Sequence, residues 1–188
     1  MSAVLIPLLL GFAFDSASAF TAAFSRRWGE KRGQGVTFVL RNLLGIPLWV
    51  IGIGFAVRSA SPVLFAAPRL LEALGLVLLA AGCGVQLWAL ASIRGRAAKP
   101  SIADALVEHG VYGYIHHPIY AGLLLEFAAL ILVKPRRTVA LACGLGILWA
   151  LLQARLEEVD LLQRMPKYRG YLARVPRFLP RFRTQRPR

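Results

Sequence analysis

The chain has 188 residues, 57% of them hydrophobic and only 17% charged, with a mean hydropathy of +0.57. That is too apolar for a soluble domain of this size, and the apolar residues fall in runs, so the composition indicates one compact helical membrane domain over residues 1–188. The net charge of +14 does not signal nucleic acid, because the basic residues crowd into the connections and the tail, as membrane topology requires.

The first apolar run is Val4 to Phe24. Ala17-Ser18-Ala19 resembles a signal-peptidase site, but no positive residue precedes the run and it continues past that point, so a first membrane helix is expected. Asp15 inside it must face protein, and a helix–helix hydrogen bond is the simplest partner. A basic turn, Arg26 to Gly35, leads to the second run, Val36 to Val57, in which Arg41 is expected to snorkel back to the surface.

After a loop from Arg58 to Arg69, the uncharged run Ala73 to Ile93 is long enough to span. Its Gly75, Gly82 and Gly84 offer small positions where another helix can approach. Arg94 to His109 is a polar connection, with Arg96, Lys99 and Asp104 in it. The fourth run, Ile119 to Val133, is short, and the fifth, Thr138 to Ala154, follows the tight basic turn Lys134-Pro135-Arg136-Arg137. The pair reads as a helical hairpin. The fold class is therefore all-α and polytopic, with about five transmembrane helices. Cys83 and Cys143 lie inside apolar runs without ligand spacing and read as packing residues.

With five spans and an external amino terminus, eighteen of the 23 basic residues fall on the inner side and five on the outer. This places the more basic face, with the tail, in the cytoplasm. On that face lies Gly110 to Gly122, reading GVYGYIHHPIYAG, with His116, His117, Tyr112, Tyr114 and Tyr120, and Pro118 suits the first position of the following helix. Glu157 and Glu158 stand where the fifth run emerges, and neighbours on a helix point about 100° apart, so one can face the loop and the other a basic partner. Tyr168, Tyr171, Leu172 and Val175 repeat at helical spacing and predict an interfacial helix, ended by Pro176. Arg177-Phe178-Leu179-Pro180 reads as a strap, and the basic tail 181–188 is expected to be disordered.

These clusters supply imidazole, phenol, carboxylate and arginine on one face, but no zinc-protease motif, phosphate loop or nucleophile elbow. His116 and His117 lack a third ligand at regular spacing, so no metal is expected. Two readings remain open on the residues alone: an enzyme acting on a lipid at the interface, and a non-catalytic lipid-binding subunit.

The segment His117-Pro118-Ile119-Tyr120-Ala121-Gly122, followed by Glu157-Glu158, resembles the RHPxYxG…EE signature of the isoprenylcysteine carboxyl methyltransferase family, whose wider group includes phospholipid N-methyltransferases. Gly110-Val111-Tyr112 and the ending Tyr168…Tyr171…Val175-Pro176-Arg177-Phe178-Leu179-Pro180 are also similar to that family, so the resemblance covers about residues 70 to 180 and leaves residues 1–69 outside. It departs at His116, which stands where the family has arginine.

The resemblance implies S-adenosylmethionine held at the ends of the last two membrane helices. By position, His117, Tyr120 and Gly122 line that cofactor, Pro118 shapes the helix start, and Glu157 or Glu158 accepts hydrogen bonds from it; beyond the resemblance, we expect Tyr112 and Tyr168 to pack on it or close over it. The acceptor would be a lipid or prenylated small molecule entering sideways from the membrane. A carboxylate acceptor needs no base, whereas an amine needs one, for which Glu126, Glu158 and His116 are the candidates. Arg174 is a candidate to hold an anionic acceptor. An NADPH-dependent reductase related to sterol reductases is the further alternative.

Overall fold

The computed structural model describes residues 1–94 and 105–181. The connection bearing Arg96, Lys99 and Asp104, and the basic tail beyond Arg181, lie outside the described residues. The rest is helical: α1 (Ser2–Ser18), α2 (Thr21–Trp28), α3 (Glu30–Phe38), a π-helical turn (Val39–Gly45), α4 (Ile46–Arg58), α5 (Arg69–Ile93), a 3₁₀ turn (Gly110–Gly113), α6 (Pro118–Val133), α7 (Arg137–Arg164) and α8 (Tyr168–Arg174).

Five spans are expected from the sequence; the helices meet that in part. Three are long and apolar enough to cross a membrane among the described residues: Glu30–Arg58, which joins α3, the π-helical turn and α4, then α5 and α7. α1 and α2 make a fourth if they count as one span, but they bend by 62° at their junction. α6 has 16 residues, below the ~20 that a full span uses.

The bundle is two helix pairs joined by α7. α1 lies along α4 because Gly11 and Gly52 admit the partner backbone: a Cβ on Gly52 would come within 2.8 Å of Leu8. α5 lies along α6 in the same way, with a Cβ on Gly82 meeting the Gly122 carbonyl at 2.7 Å. Of the three glycines read as contact positions on α5, Gly75 and Gly82 face α6, whereas Gly84 opens on space. α7 packs on α6, α4 and α1, and its Trp149 stacks on Phe12 at 4.6 Å between ring centres. Around that stack Leu8, Phe127, Val139, Ala142 and Cys143 are buried, so Cys143 is a packing residue, while Cys83 faces outward.

The loop before α5 ties down the turn between α6 and α7. Leu64 N donates to the Pro135 carbonyl (2.7 Å), and Arg137 N to that of Pro62 (3.0 Å). At the other end of the bundle, α8 buries Tyr168 and Tyr171.

Candidate functional site

The tyrosine–histidine loop is seated by one glycine. Gly110 has φ +62°, the left-handed region, and a Cβ there would strike the Ser92 hydroxyl of α5, so no other residue fits without strain. From that turn Val111 and Ile115 drop into a small apolar cluster with Ala89 and Ala121, and the chain emerges with both histidines buried. Pro118 opens α6 as its first residue, and the His117 carbonyl accepts the Ala121 N–H at 2.9 Å.

The residues after α8 form a strap bound to these histidines by main chain. His116 N donates to the Pro176 carbonyl (2.9 Å) and His117 N to that of Arg177 (3.0 Å). The ring adds to this: His116 Nδ1 lies 2.8 Å from the Val175 carbonyl. Arg177 then forks onto Glu158 of α7, with both contacts at 2.7 Å. Glu158 Oε1 also receives Nε2 of His116 and of His117, each at 3.1 Å. The fork holds the Arg177 guanidinium above its usual range. Both ring nitrogens of His116 face oxygens that accept, so a doubly protonated ring satisfies both.

The three ligand atoms of His116, His117 and Glu158 lie within 4.8 Å of one another, so the fold supplies the third ligand that spacing along the chain does not. The Arg177 fork already occupies that carboxylate, and a cation there would have to displace it.

Beside this latch lies a cavity of about 170 Å³. Its wall holds His116, His117, Pro118 and Tyr120 from the loop and α6, Tyr112 from the 3₁₀ turn, and Glu157 from α7. Tyr168 closes it from α8, and Arg41 reaches it from the π-helical turn. The Tyr120 hydroxyl donates to Glu157 Oε1 at 2.5 Å. Tyr171 donates to the Tyr112 carbonyl at 2.6 Å and so holds α8 on the loop. The Tyr168 side chain is 2% exposed and its hydroxyl has no protein partner. Burial, and then the nearby acids, push the phenols of Tyr112 and Tyr168 well above their usual range, so both stay protonated and can donate.

Of the residues singled out from the sequence, His116, His117, Pro118, Tyr120, Tyr112, Glu157 and Tyr168 meet in this wall. Glu158 stands behind it as the latch. Gly122 faces Gly82 and Gln86 across the α5–α6 contact. Glu126 lies against Cys83 and Gln86, in the same contact and farther from the loop. Arg174 pairs with Glu108 on the exposed surface at 2.6 Å. Arg41 does not snorkel outward: it is turned inward, its Nη2 3.8 Å from Glu157 and its Nε 4.0 Å from Asp15.

A stripe on α7 adds to Glu157, already singled out, four polar or aromatic residues that the reading of the sequence missed. Trp149, Gln153, Glu157, Asp160 and Arg164 follow one another at steps of four, four, three and four, and so share one face. Trp149 Nε1 donates to Ser16 Oγ (3.2 Å), and Gln153 Nε2 to the Asp15 carbonyl (3.1 Å). Asp160 Oδ1 accepts the Ala22 N–H at 2.7 Å, capping α2 from another helix, and Oδ2 accepts from Arg164 at 2.6 Å. Asp15 is thus within a helix–helix network, as its burial requires. The spacing of the stripe is visible in the sequence and is the signal that could have found it.

Comparison with protein families matches residues 70–167 to phospholipid methyltransferases. The chain belongs to the phospholipid methyltransferase family. Comparisons with curated proteins and with solved structures give no match. The matched segment contains the histidines, Tyr120 and both glutamates, and it stops before Tyr168 and the strap. It also excludes Asp15 and Arg41, although Arg41 lines the same cavity. The family is one of membrane methyltransferases, and the apolar helices of this chain agree with that setting.

Proposed function

We propose that this protein transfers a methyl group from S-adenosylmethionine to the small polar head of an amphiphile, in the cavity at the loop end of the bundle. One observation carries the reading: the buried Tyr168 hydroxyl has no partner and stands in a wall that also offers the Glu157 carboxylate. A buried polar atom left bare costs about 1–3 kcal/mol, and a ligand that engages it recovers that cost. Hydroxyl, carboxylate and aromatic rings together suit a ligand with a cationic centre, ribose hydroxyls and a flat base. When bound, that cofactor supplies an already activated methyl group.

The residues then have separable tasks. Glu157 accepts hydrogen bonds from the donor molecule, and Tyr168 donates one. Tyr112 and Tyr168 supply aromatic faces, and His117 and Pro118 fix the start of α6 as the floor. Methyl displacement is in line, so the main demand on the protein is orientation and the exclusion of water, to which Tyr168 and Tyr171 of α8 contribute from the cavity wall. A carboxylate acceptor needs nothing more. An amine acceptor must lose a proton, and the acid in the wall is Glu157, whereas Glu126 does not line the cavity and Glu158 is taken by Arg177. A phospholipid amine agrees with the family description, and a prenylated carboxylate agrees with the HPxY…EE motif. The excess of basic residues beside this end of the bundle supports a cytoplasmic orientation of the cavity.

The test is calorimetric titration of detergent-purified protein with S-adenosylhomocysteine and with NADPH. Binding of the first alone is the expected result. Binding of NADPH alone would turn the reading toward a reductase, and binding of neither toward a lipid-binding subunit.

A further inference from the structure

The cavity has a residue that the family-matching segment does not supply. Arg41 comes from the Glu30–Arg58 helix, outside the matched residues 70–167, and its side chain is 16% exposed. It sits in the π-helical turn Val39–Gly45, a wider turn that changes the direction of its side chains relative to those of α3. A guanidinium inside a membrane helix persists where it has partners and a task.

Its partners include two acids from two other helices, Asp15 of α1 and Glu157 of α7. Arg41 Nη2 and the Tyr120 hydroxyl approach the same oxygen, Glu157 Oε1, at 3.8 and 2.5 Å. Both approaches fall on a carboxylate that lines the cavity. We infer that Arg41 is a positioning residue of the donor site: it draws Glu157 onto the cavity wall, fixes which oxygen Tyr120 takes, and makes the amino-terminal helices part of the binding site. The inference rests on the methyltransferase reading above.

The charges make the claim testable against a simpler one. Asp15, Arg41 and Glu157 sum to one negative charge. If Arg41 acted only through its field, removing it would tighten the binding of a sulfonium cation. If it positions Glu157, removing it sets two carboxylates against each other, Glu157 turns away, and binding weakens.

The experiment titrates S-adenosylmethionine and S-adenosylhomocysteine into the wild type, Arg41→Lys, Arg41→Gln, Glu157→Gln and the Arg41→Gln/Glu157→Gln double variant, with melting temperatures alongside. Arg41→Gln is expected to weaken both ligands about tenfold, the scale of one charge-assisted hydrogen bond, and Arg41→Lys less, because it restores the charge without the fork. In the Glu157→Gln background, Arg41→Gln is expected to cost nothing further, since the two act as a unit. Equal or tighter binding by Arg41→Gln overturns the inference, as does a loss that adds fully to that of Glu157→Gln. If Arg41→Gln does not fold, Arg41→Lys alone decides, and wild-type affinity there overturns it. A wild type that binds neither ligand refutes the methyltransferase reading itself, a result distinct from all of these.

Discussion

Glu157 and Glu158 are neighbours on α7, yet their surroundings differ in kind. Glu158 is saturated: Arg177 forks onto it and two imidazoles share its Oε1. Glu157 accepts from one hydroxyl, has a guanidinium at 3.8 Å, and faces the cavity. One step along a helix turns a side chain by about 100°, and that turn separates an acid that holds the chain end in place from an acid available to a ligand. A paired-acid motif need not mean two acids with one task.

The largest effect that would break this contrast is on stability. Glu158→Ala leaves Arg177 and both imidazoles without their carboxylate and loosens the strap, at a cost of about 3 kcal/mol, less than for a fully buried pair because the Arg177 side chain is 37% exposed. A lowered melting temperature in detergent and new proteolytic cleavage near residue 177 are the expected readouts. Retained stability in Glu158→Ala would erase the distinction between the two acids.

Glu157→Gln is expected to act on binding instead. Its melting temperature should stay close to the wild type while the affinity for S-adenosylhomocysteine falls by about 1.5–3 kcal/mol, the range for a hydrogen bond to a charged group. Calorimetry measures it.

His116 sharpens the comparison on the latch side. His116→Gln gives up ring contacts to the Val175 carbonyl and to Glu158 and is expected to lose about 1–2 kcal/mol of stability, whereas His116→Arg, which restores the family residue, should keep most of it. Chemical denaturation in mixed micelles compares the two.

The smallest effect is at Tyr168. Tyr168→Phe removes a hydroxyl that has no protein partner, so the ligand-free protein should be as stable as the wild type or slightly more so. Its affinity for S-adenosylhomocysteine should drop by about 1 kcal/mol. Unchanged affinity would mean that this hydroxyl does not meet the donor.

Much of this was legible in the sequence. The apolar runs located the helices, Gly75 and Gly82 marked the α5–α6 contact, and the loop and the glutamates were expected on one face. What stayed hidden was which helix faces which. Arg41, the sixth residue of the expected second run, has the usual position of a snorkelling residue; only the nearness of Asp15 and Glu157 turns it inward. Gly122 lies within the motif, yet its missing side chain serves the close approach of Gly82. The 62° bend between α1 and α2 has no proline at the junction; Asp160, 138 residues away, caps the new helix, and no local rule could supply that. Periodicity describes one helix at a time, and partners across helices are set by packing.

The strap gives biosynthesis an order in time. The main-chain N–H groups of both histidines are satisfied by carbonyls some sixty positions downstream. Until residue 177 has left the ribosome, the helices can insert but the pocket stays unsealed. A nascent or truncated chain is therefore a membrane passenger whose loop histidines still lack these main-chain partners.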